Sequence, residues 1–342
     1  MIQLAAAAEH GLKSSSKQEI AGHIRQIEKN LTPLDFDADV KPSPSFAAYC
    51  RYYGMDMAGI RHVFGTFPSG DYQLAAHVFF TKPHNAGTDY SGPGRGTAFL
   101  LHGYYDHTGT LKNLIRHCLD AGLNVAVFDL PGHGLSSGER VSIDDFAAYS
   151  TALKDFIRTC APHMPGPFHL IGHSTGGAAI LDYLYRENAD GTLPAFKNII
   201  LLAPLIRSAH WHLSKTGFHL TRVFTDTVPR KLRNSSTDPA FIAALKNDPL
   251  QARHVSYKWV GALYDWNKKM AARGSMPNPL LVIQGTKDRV VDWRYNIRFL
   301  KKRAPHLTVK YIRGAKHQLA NETSDFKKAV FNSMDDYIGI AP

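Results

Sequence analysis

Six short apolar runs, separated by segments with helical spacing, limit what this chain can fold into. They are AFLLH (98–102), NVAVFD (124–129), FHLIGH (168–173), NIILLA (198–203), PLLVIQG (279–285) and LTVKYI (307–312). A strand that is apolar on both sides of its pleat must be covered on both faces, the condition of a parallel sheet with helices above and below. Two earlier strands are expected near 59–67 and 72–80, followed by a Gly/Pro-rich loop, SGPGRG at 91–96. The expectation is an α/β fold with a mostly parallel eight-stranded sheet. The 342 residues suffice for one large domain carrying an insertion.

The alternation breaks once, between NIILLA and PLLVIQG, over a distance far longer than an ordinary crossover. That stretch is rich in helix formers, bases and aromatics such as Trp211, Phe224 and Trp266. It reads as a helical cap inserted after the sixth strand and lying over the sheet. The organisation expected is therefore an extension at 1–58, core at 59–204, cap at 205–275 and core again at 276–342. In the extension, Ser16-x-x-Glu19 makes a capping box, and Ile20, Ile24, Ile27 and Leu31 recur at helical spacing up to Pro33. This helix can dock on the core or contact a membrane or partner.

Bulk properties narrow the partners. The formal charge of +11 favours anionic ones, including phospholipid surfaces and phosphorylated small molecules, or simply serves solubility. Nucleic acid is discounted, because no basic run is interleaved with aromatics as in a known module. Three scattered cysteines, Cys50, Cys118 and Cys160, read as reduced buried thiols. The start, MIQLAAAAEH, lacks a basic n-region, and no apolar run approaches the roughly 20 residues of a spanning helix. A cytoplasmic location is expected, with peripheral membrane contact as an option; oligomeric state is left open.

The chemistry centres on GHSTGG (172–177), where a strand meets a helix. Gly172-x-Ser174-x-Gly176 fits a nucleophile elbow, a strained turn that pushes the serine hydroxyl outward and tolerates no bulk beside it. A serine hydroxyl needs a base, and the base needs an orienting acid. After an elbow of this kind the acid and then the histidine follow in chain order, on loops after strands. Asp288 follows PLLVIQG and His317 follows LTVKYI, so both emerge at the carboxyl edge of the sheet. Asp292 is the other candidate acid. Oxyanion donors are expected from the backbone N–H of Thr175 and of Tyr104 in HGYY (102–105). His133 and His173 read as turn residues, with His173 and Tyr105 also candidate substrate contacts.

These motifs together resemble the monoacylglycerol lipase/lysophospholipase group of the α/β-hydrolases. The likeness lies in HGYYDHTG (102–109), FDLPGHGLSSGER (128–140), GHSTGG (172–177), GTKDRVVD (285–292) and AKHQLANE (315–322), with Asn247-Asp248-Pro249-Leu250 as a recurring cap element. It implies the α/β-hydrolase fold, a triad of Ser174, Asp288 and His317, oxyanion donors at Tyr104 and Thr175, and no metal or organic cofactor. Two features depart from the group: Tyr104 and Tyr105 stand where it has a small residue and a glycine, and the N-terminal extension is longer. The tyrosines can narrow the acyl pocket or bring a phenol to the site.

The leading expectation is a serine ester hydrolase acting on a small-molecule acyl ester, a monoacylglycerol or a lysophospholipid. The basic run from Thr221-Arg222 to Arg230-Lys231-Leu232-Arg233 either faces anionic lipid or is a solvated face. A small-ester carboxylesterase, a thioesterase or an aminopeptidase-type amidase would use the same triad. A non-catalytic binding module fits poorly with three intact triad positions.

Overall fold

The computed structural model describes residues 17–38, 42–81, 95–187 and 195–340. Ser16 of the capping box and positions 91–94 of SGPGRG lie outside them.

The chain enters through two helices, α1 (17–29) and α2 (Pro44–Tyr53). Then come β1 (Arg61–Ser69), β2 (Tyr72–Phe80), β3 (Thr97–Leu101), α3 (Lys112–Asp120), β4 (Asn124–Phe128) and α4 (Ala147–Cys160). The centre holds β5 (Phe168–His173), α5 (Thr175–Glu187) and β6 (Phe196–Leu202). Next are α6 (Trp211–Thr221), β7 (Thr227–Pro229), α7 (Pro239–Asn247), β8 (His254–Ser256) and α8 (Tyr257–Ala271). The chain ends with β9 (Leu280–Gly285), α9 (Trp293–Lys301), β10 (Leu307–Ile312) and α10 (Ser324–Ile338).

Eight strands form one sheet in the order β1-β2-β4-β3-β5-β6-β9-β10. The pairings β1–β2 and β2–β4 are antiparallel and the remaining five are parallel. The first strand ends two residues later than its apolar pattern suggests. A two-residue turn, Gly70-Asp71, joins β1 to β2, and pairing Ser69 with Tyr72 carries the ladder to that turn.

Period-two alternation divides each apolar run between two cores. Phe99, Leu101, Phe128 and Leu170 face a cluster covered by α4, α5 and α8. Ala98, Leu100, Val127 and Ile171 face the other, covered by α3 and α10. Ile20, Ile24 and Ile27 of α1 are buried in this second cluster, beside Tyr49 and Tyr53 of α2.

The segment between β6 and β9 adds no strand to the main sheet. It is not purely helical as the composition suggests, because β7 and β8 pair as an antiparallel ribbon, Thr227 opposite Ser256. Strands of three residues are too short to write a period-two pattern. The segment is fastened to the core by α8, whose Trp259, Trp266 and Met270 join the first cluster.

Candidate active site

Ser174 stands between the last residue of β5 and the first of α5 with φ +51°, a left-handed conformation that costs a side-chain-bearing residue free energy. Neighbours hold it there. Its N–H donates to Leu202 O at 2.9 Å, and its carbonyl accepts from Leu205 N at 3.0 Å and Ala178 N at 3.2 Å. The turn also needs close backbone approach: a Cβ on Gly176 would lie 2.5 Å from Leu101 O. A larger residue there would push the start of α5 away from the end of β3.

Asp288 leaves β9 and His317 follows β10, and the two meet. Asp288 Oδ2 lies 2.8 Å from His317 Nδ1, with both side chains buried. Asp288 Oδ1 accepts from Val290 N at 2.8 Å and Val291 N at 3.1 Å. Burial pushes the Asp288 carboxyl up, but the neighbouring imidazole and these N–H donors outweigh it, and the net shift is downward. Asp292, the other candidate acid, instead caps α9 by accepting from Tyr295 N at 3.2 Å. Asp288 is thus the carboxylate on His317.

The HGYY loop closes over the serine. A Cβ on Gly103 would lie 3.2 Å from Ser174 Cβ, so glycine lets the Gly103–Tyr104 peptide approach the hydroxyl. His102 braces this loop: its Nδ1 contacts Gly103 O at 2.8 Å, and its Nε2 accepts from Leu130 N at 2.9 Å. Nδ1 therefore carries the proton, and burial lowers the pKa of this neutral ring. His133 sits in the next loop with Nδ1 on Pro131 O at 2.9 Å, and burial pushes its pKa down to about 3.

The two tyrosines differ. Tyr104 donates its phenol to Val141 O at 2.7 Å and stacks on Trp259 with ring centroids 3.7 Å apart. Its hydroxyl is engaged with backbone while its ring forms wall. Tyr105 has φ +73°, a left-handed conformation in which glycine would carry no strain. Its carbonyl accepts from Gln251 Nε2 at 2.9 Å, and Arg230 lies over its ring at 3.6 Å.

His173 ties loops together. Its Nε2 lies 3.1 Å from His317 O, and its Nδ1 lies 3.4 Å from Asp106 Oδ2, an ion-pair distance too poorly aligned for a hydrogen bond. Asp106 also accepts from Gln318 Nε2 at 3.0 Å. Burial raises the Asp106 carboxyl, yet His173 and Gln318 together hold it well below the usual carboxylate range. Asp106 and Gln318 were not singled out by sequence reading; each lies beside a motif residue, but their pairing joins positions 212 residues apart.

Ser174, Thr175, Tyr104, Tyr105, His173 and His317 all line one cavity of about 670 Å³. Its wall continues onto the segment between β6 and β9 through Val228, Leu245, Val255, Trp259 and Leu263. The volume suits a small molecule with a substantial apolar portion. A serine that lines the same cavity as a histidine held by a carboxylate is an arrangement suited to acyl transfer.

Residues 92–324 match the family described as serine aminopeptidase, S33, more than half of the chain. A monoglyceride lipase homolog of Monkeypox virus is 29% identical over 253 residues, covering 71% of this chain and 89% of its own. The monoglyceride lipase of Homo sapiens is 26% identical over 262 residues (72% and 84%), and phospholipase YtpA of Bacillus subtilis 26% over 254 (70% and 95%). Among solved structures, a monoglyceride lipase from Saccharomyces cerevisiae with a substrate analogue superposes with TM-score 0.67 at 20% identity, over 81% of this chain and 95% of that one. The monoacylglycerol lipase of Paleococcus ferrophilus gives TM-score 0.63 at 20% identity, over 78% and 98%.

Proposed function

Because the chain belongs to the α/β-hydrolase family described as serine aminopeptidase, S33, we propose that it is a serine ester hydrolase cleaving single-chain acyl lipids through an acyl-enzyme on Ser174. The observation that carries this reading is the Asp288–His317 contact at 2.8 Å beside a serine held at positive φ in the same cavity.

In the reaction, Ser174 Oγ adds to the ester carbonyl carbon while His317 Nε2 takes its proton. Asp288 holds the Nδ1–H and stabilises the imidazolium that forms. The developing oxyanion is met by the N–H groups of Tyr104 and Thr175. The C–O bond to the alcohol breaks, and the alcohol leaves with the proton from His317. Water, deprotonated by His317, then attacks the acyl-enzyme, and the fatty acid departs as Ser174 regains its proton.

Residues 205–275 act in this reading as the cap that supplies the acyl wall. An aminopeptidase reading is less well supported. A substrate α-amine needs a free carboxylate, and the one that lines this cavity among the described residues, Asp106, is engaged by His173 and Gln318. The cap also presents Leu213, Leu220, Val223 and Phe224 at 68–86% exposure beside Lys215 and Arg222, a surface suited to peripheral contact with an anionic membrane. Among the described residues no helix is long and apolar enough to cross one. The three free, buried cysteines fit a cytoplasmic protein.

The test is hydrolysis of p-nitrophenyl esters of graded length. Turnover should rise from acetyl toward medium and long acyl chains, and activity confined to acetyl and butyryl esters would leave a small-ester esterase instead.

A further inference from the structure

The cavity beside Ser174 is chemically divided. One part of its wall is apolar, carrying Leu245, Trp259 and Leu263; another carries Arg230, Lys231 and Arg233, all from the segment around β7. Among the described residues three cations line it against a single carboxylate, Asp106, which His173 and Gln318 occupy. A neutral glycerol head group gives no reason for such a surface.

Arg230 is built into the wall. Its Nη1 donates to Gln251 Oε1 at 2.7 Å and Ala252 O at 3.1 Å, and its guanidinium lies 3.6 Å over the Tyr105 ring. Gln251 in turn donates to Tyr105 O, so the guanidinium and the loop expected to hold the oxyanion are positioned by the same residues. Among the described residues Nε and Nη2 of Arg230 make no hydrogen bond, leaving part of a five-donor fork for a ligand. Lys231 makes no hydrogen bond or ion pair there, and Arg233 is held only through Arg289 O at 2.7 Å. Half-buried and exposed cations that form no salt bridge among the described residues, at the mouth of an apolar cavity, fit an amphiphile with an anionic head.

Resting on the hydrolase reading, we propose that the site prefers acyl esters whose alcohol carries a phosphate, a lysophospholipid type of substrate, over neutral monoacylglycerols. The acyl chain lies on the Leu245–Trp259–Leu263 wall and the phosphate on Arg230, with Lys231 and Arg233 at the rim. Planar guanidinium and phosphate match in a two-point contact. The same acyl transfer to Ser174 breaks the ester C–O bond, and a glycerol phosphate leaves with the proton from His317.

The experiment compares kcat/KM for a medium-chain monoacyl glycerol phosphate and the monoacylglycerol of the same chain. Both are presented as monomers below their micelle concentrations, so recruitment to a lipid surface cannot create the preference. The wild type should prefer the phosphate ester by about tenfold or more, the worth of a charge-assisted hydrogen bond. Arg230→Gln should reduce that ratio about tenfold, and the Lys231→Gln, Arg233→Gln double variant, which leaves the Tyr105 stack intact, should reduce it severalfold. Raised ionic strength should erode the rim contribution first. Equal or better turnover of the neutral ester by the wild type overturns the preference while leaving the hydrolase reading standing. Loss of turnover on both esters in the same proportion in the variants overturns the assignment of the cations. If the wild type cleaves neither ester, nor any p-nitrophenyl ester, the hydrolase reading itself falls and the preference with it.

Discussion

Asp248 and Arg230 lie on the same insertion, yet the chain treats them in opposite ways. Asp248 is buried and fully engaged: it accepts from Tyr53 Oη at 2.7 Å, contacts His107 Nε2 at 2.8 Å and accepts from Leu250 N at 2.9 Å. It joins α2, the loop after HGYY and the end of α7 at one buried junction. Arg230 is half-buried, its guanidinium hydrogen-bonded through one nitrogen and in no salt bridge among the described residues. A buried charge left unpaired would cost several kcal/mol, so Asp248 has to be satisfied from within. A half-exposed cation tolerates incomplete pairing and stays available to a ligand. In this molecule the closed polar groups hold the frame, and the open ones face the cavity.

The comparison is broken most severely at the carboxylate that holds His317. Asp288→Asn should lower kcat on a p-nitrophenyl ester by roughly 10⁴-fold, because an amide cannot keep the imidazole in its working tautomer. Asp292→Asn should change kcat by less than about tenfold, since asparagine caps a helix about as well as aspartate and Asp292 makes its bond to Tyr295 N rather than to His317. Reversal of that order would mean the acid has been misassigned.

Asp248→Asn comes next. Removing one partner of a buried, hydrogen-bonded pair should destabilise the fold by about 3 kcal/mol, a fall in Tm of roughly 5 °C for a chain of this size. Calorimetry or thermal denaturation reads it, and an unchanged Tm would contradict a structural role for the junction.

The pH dependence of that loss sharpens the point. Burial lowers the His107 pKa, but the Asp248 carboxylate reverses this and the net shift is upward. Burial raises the Asp248 carboxyl, but His107 and Tyr53 bring it below its usual value. The share held by His107 is fully present below its unfolded value of about 6.5 and is lost as pH rises through its folded value. The share held by Asp248 is present above about 3.9 and is lost as pH falls through its folded value. The stability difference between wild type and Asp248→Asn should therefore be largest between about pH 4 and 6.5 and shrink toward pH 9. Chemical denaturation across that range gives the difference directly; a gap that grows with alkalinity would rule out the ionised pair.

The smallest effect belongs to the open region. Arg230→Gln should cost no more than about 1 kcal/mol of stability, the worth of its stack on Tyr105 and one or two partly exposed hydrogen bonds. A loss as large as that of Asp248→Asn would make Arg230 part of the frame and erase the distinction.

What could be read from the sequence follows the same division. The sheet was legible because its strands are continuous apolar runs, and the positions of Ser174, Asp288 and His317 because each follows such a run. The elbow announced itself by its glycines, and Gly176 meets Leu101 O closely enough to explain one of them. Tyr53 and Asp248 were not legible as partners: 195 residues separate them, and a pair that far apart leaves no period or spacing. The triplet of Asp106, His173 and Gln318 was hidden for the same reason. The basic run at 221–233 was visible, but not which of its members lie against the cavity, because the ribbon of β7 and β8 that aims Arg230 is too short to show in the pattern.

The central claim is that Ser174 is an activated nucleophile. Fluorophosphonate labelling of the folded protein, read by intact mass, tests it most directly. The wild type should gain one adduct per chain, and Ser174→Ala, shown by circular dichroism to be folded, should gain none. A folded wild type that stays unlabelled, or a Ser174→Ala variant that labels as fully as the wild type, would contradict it.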